Sequence, residues 1–334
     1  MLDVFKSDLF TTMSLTAAIQ DVPYVPRRIQ ELGWFDEEGI RDTTVVVELD
    51  NSTLQLVEER PRGSNPMVIT SDKRDGIPFR TTHLPETATI MADEVVGVRE
   101  FGSQDGRRSI QSVRDKRLEK MRRNLDATHE WQRIGALKGL ILDADGTRVI
   151  ADLFDRFGLT QLTVDMELAT DTTPVRSKCL DILEHIENEL GAWPFTGVRV
   201  FCGKEFWRSL ITHPKVEETY LNHAAAAQLR GDVREAFEFG GIIWERYRGR
   251  VSSQAYIGDD EAYACPEGVP DLYISRFAPA DYLEAVDTVG LPYYSMAEPL
   301  PMSKGLQLEA QSNPIHLVTR PRAIIKLNRV NGGG

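Results

Sequence analysis

The chain has 334 residues, of which 41% are hydrophobic and 27% are charged, fractions that are ordinary for a globular protein. Its 51 acidic residues outnumber its 39 Lys and Arg residues, which gives a net charge of −12. This balance argues against a protein that coats nucleic acid through clustered cations, but it permits one that encloses DNA without adhering to it.

Neither a disulfide framework nor a secretion route is predicted. Cys179, Cys202 and Cys265 are an odd number at wide spacing, which also argues against a CxxC metal knuckle. The first residues lack the basic-then-apolar order of a signal peptide, and no run approaches the ~20 apolar residues that span a bilayer. We therefore expect synthesis in the cytosol and no membrane association.

Residues 1–40 have the pattern of an arm. Apolar residues are scattered, prolines interrupt the segment at Pro23 and Pro26, and a short helical turn precedes Trp34 and Phe35. A segment that cannot build its own core must pack on the rest of the chain or on a neighbouring subunit.

An extended excursion follows a short β-branched strand at residues 43–49. Residues 50–90 are extended, polar and poor in core residues, and Arg60, Arg62 and Gly63 lie in a stretch of chain breakers and charges. The pattern predicts a long two-stranded ribbon. Since an isolated ribbon is marginal in water, it needs a partner surface.

A long helix is predicted at about 107–137, because this run contains no proline and no glycine until Gly135. At 1.5 Å per residue, it would be roughly 45 Å long, which suits a strut across a flat plate. Arg and Lys crowd its first half. They are interpreted either as a solvated face with i,i+4 pairs such as Glu119 with Arg123, or as a charged surface that faces a neighbouring subunit or DNA.

The rest of the chain alternates short strands and helices, typical of a compact α/β region. Asp145-Gly146 predicts the tip of a hairpin within residues 140–152. The other predicted elements are an amphipathic helix at 174–191, a buried strand at 198–202, helices from 204 and 213, strands near 239–247 and 272–276, and alternating strands at 306–312, 315–318 and 323–327.

One stretch raises an enzymatic alternative. Residues 141–147 match the DxDGT pattern of haloacid-dehalogenase-type phosphatases, in which Asp143 would be the nucleophile and Asp145 an acid/base. Residues 256–260 resemble the acidic loop that binds magnesium in those enzymes. About 140 residues precede the motif, however, and Arg148 follows it where an apolar residue normally continues. An Asp-Gly hairpin tip explains the same letters without chemistry.

No other catalytic, cofactor or metal pattern is present. The histidines form neither an HxH nor an HExxH pair, so no metal site is predicted. The chain contains no GxSxG motif, no Walker loop and no GxGxxG motif. We predict no enzymatic activity, no catalytic residue, no cofactor and no metal.

The order of parts resembles the capsid proteins of tailed phages, the Hong Kong 97 type: arm, ribbon, one very long helix, α/β middle and returning strands. Local sequence is similar to the major capsid protein E family of lambda-like phages. The stretches that carry the resemblance are 24–35, 59–63, 131–139 with 143–146, 202–207 with 213–216, and 292–299 with 311–314. Together they span nearly the whole chain.

The resemblance implies an α+β fold with a defined division of the chain. The implied parts are an N-terminal arm (1–40), a peripheral-domain strand (41–49), an extended loop or β-ribbon (50–90), a peripheral domain with the spine helix at about 107–137 (91–170), an axial domain (171–300), a C-terminal return to the peripheral domain (301–330) and a flexible tail (331–334).

The resemblance also implies the partners. Subunits would form hexamers and pentamers of an icosahedral virion capsid, assembled in the host cytoplasm, which encloses double-stranded DNA and matures from a procapsid by expansion. Because the sequence begins at its arm, a separate scaffold protein is expected; decoration and portal proteins are further candidates.

Inter-subunit contact is expected at Arg60, Arg62, Gly63, Trp34 and Phe35. The two arginines would pair with carboxylates of a neighbour, unless they lie in a solvated turn. The alternatives to the phage capsid are an encapsulating shell protein of the same fold and a magnesium-dependent phosphatase that uses Asp143 and Asp145.

Overall fold

The computed structural model describes residues 28–49, 75–94, 110–191, 193–221, 236–251 and 254–330. Arg60, Arg62 and Gly63 lie outside these ranges, as does most of the predicted ribbon. The helices are α1 (Arg28–Leu32), α2 (Ile110–Lys138), α3 (Leu153–Phe157), α4 (Val175–Leu190) and α5 (Lys204–Ile211), and residues 217–221 are also helical.

Short strands make up most of the remaining regular structure. They are β1 (Asp36–Gly39), β2 (Thr44–Leu49), β3 (Asp75–Arg80), β4 (Leu84–Met91), β5 (Leu140–Leu142), β6 (Val149–Asp152), β7 (Thr163–Asp165), β8 (Gly197–Cys202), β9 (Ala236–Phe239), β10 (Ile242–Arg246), β11 (Arg250–Val251), β12 (Gln254–Ala255), β13 (Glu261–Glu267), β14 (Tyr273–Phe277), β15 (Tyr294–Pro299), β16 (Gly305–Ser312), β17 (Pro314–Val318) and β18 (Ile325–Asn328).

The chain divides into two compact units. Unit 1 comprises residues 1–45, 79–133 and 274–316, and unit 2 comprises residues 46–78, 134–273 and 317–334. Helix α2 contributes its first 24 residues to unit 1 and its last turn to unit 2. It ends at Gly139, whose φ of +79° favours glycine over other residues. The Phe154 ring also occupies the place that a Cβ atom of residue 139 would take.

Unit 1 places α2 over an antiparallel sheet of order β15-β16-β4. Leu118, Met121 and Leu125 follow the three- and four-residue steps of one helix face and pack with Tyr293 and Ala310. A second sheet of order β1-β14-β17 pairs β1 in parallel with β14. The C-terminal part of the predicted arm is therefore held by strand pairing.

Unit 2 is built on a six-stranded sheet of order β7-β18-β13-β8-β10-β9. Strand β8 runs parallel to β10 and antiparallel to β13, while β13 and β18 are antiparallel. Val200, Phe201 and Cys202 on β8 are fully buried, and the Phe206 ring of α5 stacks on Trp244 of β10. The central strands of the sheet are strongly apolar because their side chains are buried.

Strand pairing divides the chain at other points than the predicted domains do. Residues 84–90, expected in the ribbon, pair with β16 over the length of β4. Residues 274–300, expected in the axial domain, lie in unit 1, while residues 134–170 and 317–330, expected in the peripheral domain, lie in unit 2. The reason for the last difference is that β18 pairs with β13 and β7. The names peripheral and axial stay predictions for these units.

Candidate assembly surfaces and the buried polar cluster of the long helix

Of the five residues predicted at inter-subunit contacts, the structure describes Trp34 and Phe35. Trp34 is partly exposed, whereas Phe35 is 8% exposed and packs on its own chain. The Phe35 ring meets the His316 ring edge-on, with 6.0 Å between the centroids, and the Arg133 guanidinium lies 5.8 Å from the Phe35 ring centroid. In this arrangement the Phe35 side chain anchors the N-terminal segment within unit 1. The side chain of Trp34, the preceding residue, stays partly exposed.

Seven polar residues of α2 are buried, and we call five of them the polar cluster: Arg122, Asp126, His129, Glu130 and Arg133. Their spacing of mostly three or four residues puts them along one helix face. They interrupt the apolar stripe that ends at Leu125 and resumes at Ile134. Buried charges are costly unless paired and hydrogen-bonded, so their partners explain how this face folds.

The C-terminal half of the polar cluster holds residues 28–39, the C-terminal part of the predicted arm. The backbone N–H of Ile29 donates to Oε1 of Glu130 at 3.0 Å. Nη2 of Arg133 donates to Oε1 of Glu37 at 2.6 Å, and its Nη1 donates to the side-chain oxygen of Gln30. Residues 28–39 are thus fixed by charge-assisted bonds in a poorly hydrated place, where such bonds are strong.

The N-terminal half of the cluster is bound to the sheet side of unit 1. Asp126 accepts from Nε of Arg122 at 3.0 Å and from the Tyr293 hydroxyl at 2.5 Å through the same Oδ1 atom. The Arg122 guanidinium lies over the Tyr293 ring, 3.5 Å from the ring centroid. Burial, followed by the Asp126 charge, raises the pKa of Tyr293 far above its ordinary value, so its hydroxyl stays a donor.

Two buried histidines lie between these halves. The rings of His129 and His316 are 5.4 Å apart, His129 Nε2 lies 3.0 Å from the Ser312 hydroxyl, and His316 Nδ1 lies 2.7 Å from the Ser275 hydroxyl. Burial, followed by the positive charge of Arg133, holds the pKa of both histidines well below the ordinary value. Both are neutral at pH 7, so their role is packing and hydrogen bonding.

The DxDGT stretch folds as a closed hairpin tip between β5 and β6. Oδ1 of Asp145 accepts the backbone N–H groups of Thr147 and Arg148 at 2.8 and 2.9 Å. These bonds, that of Thr147 first, lower the pKa of Asp145. Asp143 pairs with Arg148 at 3.0 Å and accepts from the N–H of Ala144. Both carboxylates therefore stabilise their own turn, as the hairpin interpretation expects.

The second part of the phosphatase pattern, residues 256–260, also makes bonds that stabilise the fold. Asp260 pairs with Arg329 at 2.5 Å, and the carbonyl of Asp259 accepts the first N–H groups of α5 from Glu205 and Phe206. Within the described ranges, no group of three or more His, Cys, Asp or Glu side chains is placed to hold a metal ion. Nor does any helix among those residues have the length and apolar character to cross a membrane.

Three comparisons with known proteins decide the family. The model of the family described as phage major capsid protein E matches residues 11–329. The chain belongs to the phage major capsid protein E family. Two similar relatives are major capsid proteins: that of Pseudomonas phage KPP10 is 28% identical over 95% of this chain and 96% of its own, and that of Salmonella phage Felix O1 is 24% identical over the full length of both.

A solved structure described as a prophage capsid protein of Escherichia coli CFT073 has the same fold. It superposes with a TM-score of 0.59 at 15% identity, over 96% of this chain and 99% of that one. The predicted Hong Kong 97-type α+β fold is confirmed, and the function is that of a phage major capsid protein, a structural protein of the virion shell. The comparisons do not favour the encapsulating-shell or phosphatase alternative.

Sequence reasoning did not find the polar cluster. Its signal was present, because Arg122, Asp126, His129 and Arg133 recur at three- and four-residue steps in line with Leu118 and Leu125. Charged letters on a long helix ordinarily indicate a solvated face. What distinguishes these residues is their burial against Tyr293, Ser312 and His316, which lie more than 160 positions away along the chain.

Proposed function

We propose that this capsid protein builds a closed icosahedral shell of hexamers and pentamers that encloses double-stranded DNA. The observation that carries the proposal is the family match over residues 11–329, because it includes parts of both compact units and not a single domain. The relatives that match over almost the whole chain are both major capsid proteins. A net charge of −12 agrees with a wall that encloses DNA without binding it tightly.

Assembly is proposed to take place in the host cytoplasm, around a separate scaffold protein, with a later expansion of the shell. A portal protein and a decoration protein are further proposed partners. The anchoring of residues 28–39 by Glu130 and Arg133 supports a defined role for this part of the arm, which is fixed on its own subunit while the Trp34 side chain stays partly exposed. Arg60, Arg62 and Gly63 are retained as proposed contacts of the ribbon, together with Trp34.

We also propose that the protein has no catalytic activity. Support comes from the hairpin tip, where Asp143 and Asp145 are occupied by Arg148 and by backbone N–H groups. Cys179, Cys202 and Cys265 are buried thiols, and burial raises the pKa of each, which makes them poor nucleophiles.

The test is expression of the full chain, alone and together with the scaffold gene of the same phage, followed by sucrose-gradient sedimentation and negative-stain microscopy. The proposal expects closed particles of uniform diameter, or hexameric capsomers, under at least one condition. A well-folded monomer or dimer under both conditions would contradict it. Particles that form equally well without the scaffold would contradict the scaffold requirement alone.

A further inference from the structure

Among the described residues, unit 1 carries an exposed apolar surface. We call residues 281–291 the acidic-apolar loop. Its Leu283, Val286, Val289 and Leu291 are exposed, and the Leu283 side chain is 94% exposed. A group of large apolar side chains in one short segment, with polar residues between them, is the usual mark of a surface that another macromolecule covers.

The backbone of this loop is fixed from beneath. Ala285 is buried in a cluster with Ala280 and Tyr294. The N–H of Leu291 donates to the Tyr294 hydroxyl at 2.9 Å, and the N–H of Gly290 donates to the carbonyl of Ile40 at 2.8 Å. The loop that carries the apolar side chains is thus already ordered. Binding a partner therefore costs little conformational entropy of the loop.

The loop also has a strong local charge. Residues 277–303 contain four acidic residues and no Lys or Arg. Three of the acids, Asp281, Glu284 and Asp287, lie in the acidic-apolar loop and are exposed. Two such loops would repel each other, so a self-paired contact of this surface is disfavoured.

A complementary surface lies on α2 of the same unit. Residues 110–123 contain six Lys or Arg residues and two acidic residues. Lys116, Lys120 and Arg123 are exposed and fall on one face at four- and three-residue steps. We call these three residues the basic face. A lysine offers an aliphatic stem to apolar groups and an ammonium group to a carboxylate, so this face fits both properties of the loop.

From these two surfaces we infer that the acidic-apolar loop of one subunit docks on the basic face of α2 in a second copy of the chain. The inference deepens the proposed shell function and rests on it. Because the two surfaces are different, the contact is heterologous, and repetition about a rotation axis produces a closed ring. Leu283 lies on the lysine stems of the neighbour, and Glu284 pairs with Lys120.

Charge exchange tests the contact directly. Glu284→Lys and Lys120→Glu are each expected to lower the yield of particles at least about tenfold, because each replaces an attraction with a like-charge contact. The double variant restores the opposite charges and is expected to recover most of the yield. Glu218→Lys, an exposed site in unit 2, makes the same change in net charge as Glu284→Lys and is expected to assemble as the unaltered chain does.

A disulfide experiment reports the contact without requiring closed particles. The chain with both Leu283→Cys and Lys120→Cys is oxidised and separated on a non-reducing gel. A ladder of linked chains is expected from the double variant, and none from either single variant. The three native cysteines are buried and do not interfere.

The outcomes separate the inference from the proposed function. If Glu284→Lys assembles normally and no ladder forms while the unaltered chain builds shells, the docking inference is overturned and the shell function stands. If the unaltered chain forms no shells and the double-cysteine variant gives no ladder, both are overturned. Reduced DNA content in Lys120→Glu particles of normal yield would assign the basic face to DNA instead. Circular dichroism and thermal melting of each variant confirm that the subunit is folded.

Discussion

His129 and His316 sit in unit 1 as buried, neutral rings. The charged groups that face them are Arg122 and Arg133 on α2, with Asp126 on the same helix and the Tyr293 hydroxyl next to His129. Nε2 of His316 has no hydrogen-bond partner among the described atoms. A proton on either ring would therefore add a buried positive charge near the Arg133 guanidinium.

Stability is expected to fall in mild acid. The pKa of both histidines is lowered in the folded protein, so their contribution is fully present above the unfolded value of about 6.5 and is lost as the pH falls below it. Below about pH 6.5 the free energy of unfolding falls with pH, because the unfolded chain binds up to two protons that the folded protein excludes. Urea unfolding at half-unit pH steps measures it.

Substitutions test whether the loss of stability in acid comes from the two buried histidines. His129→Gln and His316→Gln are each expected to flatten the pH dependence of the unfolding free energy. His83→Gln is the control, because the His83 side chain is half exposed and near Asp281. An unchanged slope in both buried-site variants would refute the assignment.

Arg133 shows how much one buried charge contributes. Arg133→Ala is expected to lower the free energy of unfolding by about 3 kcal/mol, because it removes a buried guanidinium that binds the Glu37 and Gln30 side chains. Arg123→Ala removes an exposed i,i+4 pair with Glu119 on the same helix and is expected to cost less than about 0.5 kcal/mol. Equal effects in urea unfolding would contradict the proposed anchor.

Asp143 gives a test of the proposal that the protein is not an enzyme. Asp143→Asn keeps an acceptor for the turn, so particle yield is expected to be unchanged. Neither the unaltered chain nor the variant is expected to hydrolyse a generic phosphate ester in the presence of magnesium. Hydrolysis by the unaltered chain that Asp143→Asn abolishes would restore the phosphatase alternative.

At the scale of elements, the segment 28–39 contains one side chain that is expected to stabilise the subunit and another that is expected to act in assembly. Phe35→Ala is expected to destabilise the subunit by about 3 kcal/mol, because Phe35 fills a buried site beside His316. Trp34→Ala is expected to change stability by less than about 1 kcal/mol and to reduce particle yield, since Trp34 stays partly exposed. Thermal melting and sedimentation together distinguish the two roles.

Elements whose signal is local were predicted well from the sequence. The run without proline predicted a helix at about 107–137, and the structure has one at Ile110–Lys138. Asp145-Gly146 predicted the hairpin tip, where Gly146 has a φ of +70°. The helix predicted at 174–191 is Val175–Leu190, closed by Gly191. In each case a breaker or an amphipathic period lies within a few residues of the element it defines.

Elements that depend on distant partners were not predicted well from the sequence. Leu84–Met91 has alternating burial, and its sequence alone predicts part of a ribbon, because nothing in it identifies β16, more than 200 residues later, as its neighbour. The parallel pairing of β1 with β14 was missed for the same reason. Register between distant strands depends on the whole hydrophobic pattern of the sheet.

At the scale of the whole molecule, the order of parts predicted the fold class, whereas the limits of the peripheral and axial domains stay predictions. The chain leaves unit 1 after Arg133 and returns to it at Ile274, and it leaves again after His316. These crossings follow strand pairing, which the order of predicted elements does not contain. The inter-subunit contacts of Arg60, Arg62 and Gly63 stay predictions, because these residues lie outside the described part of the chain.

The central claim is that many copies of this chain close into a shell. The most direct measurement is a cryo-electron microscopy reconstruction, without imposed symmetry, of the particles that the full chain forms with its scaffold. We predict icosahedral particles in which five-subunit and six-subunit rings are resolved. Homogeneous, well-folded subunits that form no closed particle, or only open sheets and tubes without five-subunit rings, would contradict the account.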